Sequence, residues 1–189
     1  MNLDAQNPEA DLKEALAGNG RAFGRLVAPH LHLMYRVAAR LAGSDSTAED
    51  AVQEALQLAW QRLGALKSLA HLRAFLLGIA AGRARTLRRS EWRKGRRLLV
   101  HGTETPEQPA DLLVAGQLAD GLQQALAGMP EKRRAAVVMR LDAGLSYEEI
   151  ARALSTTSVS ARVLVHLGTR QLSSYLSKAG LLERPAEVL

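Results

Sequence analysis

The sequence predicts an all-α protein of two small helical domains joined by a flexible linker, the C-terminal domain being a helix-turn-helix. Three features support this. Ala and Leu dominate the 189 residues while aromatic residues make up only 4%, a balance that favours helix over sheet. Apolar residues recur at three- and four-residue spacing through two blocks, about Pro8 to Ser90 and about Ala115 to Leu176, the period of amphipathic helices. Near the end of the chain, Ser146 and Glu149 form a capping-box pair ahead of Ile150, Ala151 and Leu154, and a second helical pattern follows after the short polar break 155–158.

The blocks are separated by Gly95 to Leu113, which is poor in apolar residues and carries Gly102, Pro106 and Pro109. That is linker composition, and a structureless loop of such length inside one compact domain is unusual. The expected boundaries are 8–94 for the first domain, 95–114 for the linker and 115–178 for the second domain.

Within the first block, Ala10 to Ala17 reads as a short helix ending at Gly18. Ala22 to Leu41 keeps helical spacing through Leu26, His30, Leu33, Met34, Val37, Ala38 and Leu41, with a break or kink at Pro29, which lacks an N–H and clashes with the preceding turn. Gly43 to Ser46 reads as a turn, and Ser46 with Glu49 as a second capping box. The helix that follows, to about Leu63, sets Val52, Ala55, Leu56, Ala59, Trp60 and Leu63 on one face. A loop, Gly64 to Ala70, leads to a fourth helix from about Leu72, with Leu72, Phe75, Leu76, Ile79 and Ala80 as its apolar stripe. In the second block, Leu118, Leu122, Ala125 and Leu126 precede a break at Gly128-Met129-Pro130. Pro130 suits a helix opening; Ala135, Val137, Val138, Met139 and Leu141 follow, and Gly144 is placed as the C′ residue. The second helix of the helix-turn-helix runs from about Val159 to Tyr175, with Ala161, Val165, Gly168 and Leu172 inward.

Composition narrows the function. The absence of cysteine excludes disulfides, thiolate metal sites and thiol nucleophiles. Of the histidines, only His30 and His32 are close in sequence, and a spacing of two places them on different helix faces. No metal and no cofactor are therefore expected. No paired carboxylates, nucleophile–His set or Gly-rich phosphate loop stands out, so no enzyme activity is expected. No apolar run reaches membrane-spanning length and no signal peptide opens the chain, which points to a cytoplasmic protein without membrane insertion. The net charge of +6 favours a polyanionic partner.

Two surfaces carry chemistry. Arg83, Arg85, Arg88, Arg89, Arg93, Lys94, Arg96 and Arg97 stand against a lone Glu91, at a helix C-terminus where cations also suit the dipole. Phosphate contact is the natural role of such a patch and confers affinity and salt dependence without sequence choice; an exposed helix end is the alternative. Trp92 within it serves either to stack on a base or to anchor the helix end. Asp50, Gln53 and Glu54 share one helix face by their spacing, either as a solvated edge or as an acidic docking surface for a basic partner.

The order of these pieces resembles the extracytoplasmic-function (ECF) sigma factors, two-domain members of the sigma-70 superfamily of bacterial initiation factors. Ala48-Glu49-Asp50-Ala51-Val52-Gln53-Glu54-Ala55 is similar to the family's polymerase-binding helix. Leu72 to Ala80 with Arg88-Arg89 resembles its promoter −10 helix, and Met129-Pro130-Glu131 through Leu154 resembles the start of its −35-binding domain. The resemblance implies a transcription initiation factor that binds core RNA polymerase, through its β′ and β subunits, and promoter DNA, with a cognate anti-sigma protein as a further partner. It assigns Asp50, Gln53 and Glu54 to the β′ clamp helices. It assigns Lys67, Ser68 and His71, in the loop before the −10 helix, to a flipped non-template base, and Arg83, Arg85, Arg88, Arg89, Arg93 and Arg96 to the DNA backbone. It places Ser158, Ser160, Arg162, Val163 and His166 on the −35 face.

The sequence also departs from the family. Gly82 and Thr86 stand where Asn and Asp are common, and Ser155 takes the place of a turn Gly. Leu164 and Leu167 replace two expected arginines, and leucine makes none of the bidentate contacts of arginine. These leucines point to weakened −35 binding or to a protein-partner face. Two rival readings remain: a sigma-like regulator with degenerate promoter recognition, and an unrelated helix-turn-helix repressor or activator, which usually binds a palindrome as a dimer.

Overall fold

The computed structural model describes residues 7–98 and 120–181. Most of the expected linker, and the first residues of the expected second domain, lie outside the described residues.

The N-terminal half opens with α1 (Pro8–Leu16), whose first amides are capped by the Asn7 side chain. α2 (Gly20–Val27) is capped in the same way by Asn19. These short helices are joined by an ion pair: Arg25 Nε donates to buried Asp11 at 2.8 Å. Pro29 sits in a 3-10 turn, Ala28–His30, that separates α2 from α3 (Leu31–Ala42). α3, α4 (Asp45–Gln61) and α5 (Leu72–Leu98) pack on one another as the core of this domain. Met34, Val37, Ala38 and Leu41 of α3 meet Leu76, Leu77, Ala80 and Ala84 of α5 and an alanine seam on α4, Ala48, Ala51, Ala55 and Ala59, all buried. Small side chains let helix axes approach closely, so the larger Val52, Leu56 and Trp60 sit at the margins, half-buried.

Two expectations are corrected here. The N-cap of α4 is Ser44, not Ser46: the Ser44 hydroxyl accepts from the Thr47 amide, and Ser46 lies within the first turn. Gly43, left-handed at φ +91°, ends α3 only one residue earlier, which leaves Ser44 as the extended residue that a cap requires. In addition, α5 runs on to Leu98, beyond the linker start expected at Gly95.

The C-terminal half consists of α6, described over 120–127, α7 (Glu131–Leu141), α8 (Tyr147–Ala153) and α9 (Ser158–Lys178). Its core is Ala135, Val138, Met139, Leu145, Ile150, Ala161, Val165 and Leu172. Buried Arg134 donates through Nη2 to the Met129 carbonyl at 2.9 Å and the Ala127 carbonyl at 3.3 Å, satisfying acceptors at the end of α6. Gly168 is required by close packing: a Cβ there would lie 2.2 Å from Val137 Cγ2 and 3.1 Å from Arg133 Cγ. Gly168→Ala is expected to destabilise this half by about 1–3 kcal/mol, read as a lower melting temperature.

The two halves touch directly. α8 lies against α5, and α7 against α3. At Gly78 the approach is tightest, since a Cβ would stand 2.8 Å from the Ala153 carbonyl oxygen. Around it, Arg73 donates to the Ala143 carbonyl, Asp142 faces Arg40 at 3.5 Å and Arg36 at 3.9 Å, and Arg89 grips Glu131 with both oxygens at 2.8 Å. The Arg89–Glu131 side chains are 63% and 41% exposed, so solvent screening limits their pair to under about 1 kcal/mol. Close helix packing, rather than the ion pairs, dominates this contact.

Burial holds the imidazole of His30 below its ordinary value, and the charge of Arg73 adds to the effect. In the neutral range the native and unfolded chains carry the same neutral ring. Below about pH 6.5 the unfolded chain takes up the proton more readily. Stability is therefore lost as pH falls from about 6.5 through the lowered native value. His30→Gln is expected to remove this part of the acid dependence, measured by denaturant midpoints between pH 7 and 5.

Candidate nucleic-acid interface

α4 turns its alanine seam inward, and this leaves Asp50 and Gln53 exposed and Glu54 half-exposed along the outer side. Glu54 is not free: its Oε2 lies 3.5 Å from Arg83 Nη1 of α5. An acidic residue expected to face polymerase is thus tied to a cation expected to face DNA.

The loop between α4 and α5 is built from two 3-10 turns, Leu63–Ala65 and Leu69–His71. Buried Leu63 anchors it, while Lys67 and Ser68 are exposed at its tip. Ser68 Oγ lies 3.2 Å from His71 Nδ1, which fixes the ring at the head of α5. The three polar residues expected to meet a base therefore sit together.

The cationic stretch of α5 is shared between two sides of the helix, with Arg85 bordering both. Arg83 faces α4. Arg85, Arg88 and Arg89 instead line a crevice against Glu131 and Arg134 of α7. Burial there lowers the Arg88 guanidinium pKa, partly offset by Glu131, and the Nε atoms of Arg85 and Arg134 are buried without a hydrogen-bond partner. Arg93, further along, is exposed and donates back to the Arg89 carbonyl. The side chains of Trp92 and Arg96 lie outside the described set, although both residues are on the helical backbone. On the remaining face, Thr86 donates to the Gly82 carbonyl at 3.0 Å.

The helix-turn-helix is capped twice. Ser146 and Glu149 form the full reciprocal box at the head of α8, and the Thr157 hydroxyl accepts from the Ser160 amide at the head of α9. Between them, Ser155 adopts φ +48°, the left-handed conformation that glycine enters without penalty. Ser155→Gly is expected to raise stability by about 1 kcal/mol, seen as a higher thermal midpoint.

On α9, Ser160, Arg162, Val163 and His166 are exposed and Ser158 is half-buried. Of the two leucines that replace arginines, Leu167 is exposed whereas Leu164 packs half-buried against the core. Arg162 is drawn over the Tyr147 ring at 5.1 Å, and Arg140 lies over the same ring at 5.0 Å, an attraction of cation to aromatic face. Sequence reasoning missed Tyr147 in this role, along with Arg36, Arg40, Arg73, Glu131 and Asp142 at the contact between the halves. Their partners are distant in the chain, and no local pattern announces them. Among the described residues, no group of His, Asp and Glu side chains gathers as a metal site.

Comparison with known proteins matches residues 26–94 to the Sigma-70 region 2 family and residues 119–172 to Sigma-70, region 4. The ECF RNA polymerase sigma factor SigE of Mycolicibacterium smegmatis is 32% identical over 165 residues, covering 83% of this chain and 62% of that relative. The chain thus spans less than two thirds of SigE. SigD of Mycobacterium tuberculosis, another ECF RNA polymerase sigma factor, is 25% identical, with 95% of this chain and 89% of the relative covered. Among solved structures, CnrH in complex with the cytosolic domain of CnrY superposes with a TM-score of 0.65 at 21% identity, covering 89% of this chain and 96% of that one. The sigma factor RpoE of Bartonella quintana, in complex with the anti-sigma factor NepR, gives 0.63 at 22% identity, with 82% and 96% covered. With both conserved regions matched in order across the two helical halves, the chain belongs to the sigma-70 family of transcription initiation factors, in its extracytoplasmic-function group.

Proposed function

We propose that this protein binds core RNA polymerase and directs it to specific promoters. The observation that carries this reading is the ordered pair of region matches, 26–94 then 119–172, one on each helical half. Asp50, Gln53 and Glu54 dock on the polymerase. Lys67, Ser68 and His71 receive a base displaced from the −10 duplex; extrusion costs a few kcal/mol, so a preformed loop is an advantage. Arg85, Arg88, Arg89, Arg93 and Arg96 hold the phosphates of the same region, with Arg83 in reserve behind Glu54. The outer face of α9 engages the −35 segment, with Ser158 and Ser160 at its head and Arg162, Val163 and His166 along it.

The protein performs no catalysis in this reading, because nucleotide addition belongs to the polymerase. It works in the cytoplasm; among the described residues no helix is long and apolar enough to cross a membrane. CnrH and RpoE are each held by a partner, CnrY and the anti-sigma factor NepR, and by analogy this chain is held by a cognate anti-sigma protein. The rival reading of degenerate promoter recognition rested on two exposed leucines, and Leu164 is half-buried.

The test is run-off transcription with purified core polymerase. Addition of this protein is expected to yield transcripts with defined 5′ ends from a subset of templates. Failure to confer any specific start, with core enzyme that responds to a control sigma factor, overturns the proposal.

A further inference from the structure

The outer line of α9 is apolar at the end that leaves the turn. Val159 is 71% exposed, Val163 50% and Leu167 40%. Buried Ala161, Val165, Gly168 and Leu172 define the opposite side, and at about 100° per residue Val163 points directly away from them. These side chains do not belong to a broad apolar patch. Ser160, Arg162, His166, Thr169 and Arg170, all exposed, surround them, so the surface lacks the contiguous apolar area typical of a protein-binding face. Arg162, the residue before Val163, is turned toward the Tyr147 ring. What remains at the apex of the helix is two branched hydrocarbon side chains.

In the major groove every base pair offers hydrogen-bonding groups, and one base adds an apolar group, the C5-methyl of thymine. Valine makes no hydrogen bond. Facing a cytosine amino group or a guanine edge, it would strip water from polar atoms without replacing their partners. Facing thymine, it buries methyl against methyl. We propose that Val159 and Val163 are specificity-determining residues that read thymine methyl groups in the −35 segment, with Leu167 extending the same apolar line. Recognition at those positions rests on hydrocarbon contact rather than on arginine–guanine pairing, and His166 and Arg170 hold the adjacent backbone. This inference rests on the assignment of α9 to the −35 segment made above.

Holoenzyme assembled from core polymerase and the full chain is used to capture promoters from a random duplex library. One captured promoter is then resynthesised with deoxyuridine replacing thymine, position by position, in the −35 segment, which removes only the methyl. The expected result is thymine enrichment at neighbouring −35 positions and about a fourfold loss of affinity per contacted methyl, the worth of burying one methylene-sized group. Val159→Ser/Val163→Ser is expected to bind thymine and deoxyuridine duplexes equally. Captured promoters with a shared −10 element and no −35 preference overturn the assignment of α9. A −35 preference with affinity unchanged by deoxyuridine overturns the methyl readout alone and leaves that assignment standing. Undiminished promoter affinity in the doubly substituted chain also overturns the methyl readout.

Discussion

Asp50→Arg is expected to lower the affinity for core RNA polymerase by about a hundredfold while leaving the melting temperature unchanged. Asp50 is exposed on α4 and has no ion-pair partner among the described residues, so its reversal disturbs no internal contact. At a docked interface a reversed charge replaces attraction by repulsion, and losses of about 2–5 kcal/mol are typical of disrupted interfacial charge pairs; about 2.7 kcal/mol is a hundredfold. Glu54→Arg is less clean, because it also releases Arg83 from its 3.5 Å pair and sets two like charges side by side. A titration of labelled core enzyme settles the matter: equal dissociation constants for Asp50→Arg and the unmodified chain would remove α4 from the docking surface.

Replacing Arg88, Arg89, Arg93 and Arg96 with Ala is expected to flatten the salt dependence of holoenzyme–promoter binding. Each phosphate neutralised contributes about 0.9 to the slope of log K against log salt, so loss of all four contacts lowers its magnitude by about 3.6. At about 0.1 M salt this amounts to a few thousandfold in affinity, the largest functional change expected of these substitutions. Arg83 is left out because it reaches toward Glu54 of α4, away from the crevice that Arg88 and Arg89 line; Arg89 is kept although Glu131 of the other half pairs with it. An unaltered slope from filter binding at graded KCl would exclude these arginines from phosphate contact.

Local signals were legible in the sequence, and long-range ones were not. The Ser146–Glu149 box, the Pro29 break and the left-handed Gly144 at φ +62° each depend on a few neighbouring residues, so spacing alone located them. Ser46 was mistaken for the cap of α4 because two serines lie within three positions and only the backbone decides between them; Gly43 ends α3 so tightly that Ser44 takes the extended conformation. On α4 the spacing picks out Val52, Ala55, Leu56, Ala59, Trp60 and Leu63; Ala55, Ala59 and Leu63 are buried, but the seam continues through Ala48 and Ala51, and Val52, Leu56 and Trp60 sit at its margin, a choice set by the neighbouring helices. The arginines of α5 read as a single basic patch, and only the packing of α4 and α7 shows that Arg83 reaches toward Glu54 while Arg88 and Arg89 line the crevice beside Glu131, with Arg85 bordering both sides. Leu164 and Leu167 read as an exposed pair, but they lie at different depths on α9.

The seat of α8 on α5 at Gly78 bears on promoter binding at a distance. Elements centred some 25 base pairs apart, as −10 and −35 are, span roughly 85 Å of duplex at about 3.4 Å per pair. A compact body of the described size is only about 40 Å across, from a radius of gyration of about 15 Å. On the proposed function, one molecule could not reach both elements while its halves stay seated, so the apparent binding constant for a full promoter would be the intrinsic one scaled by the population already unseated. A hydrogen atom in place of a side chain at position 78, remote from every base, would thereby take part in setting how readily a gene is started.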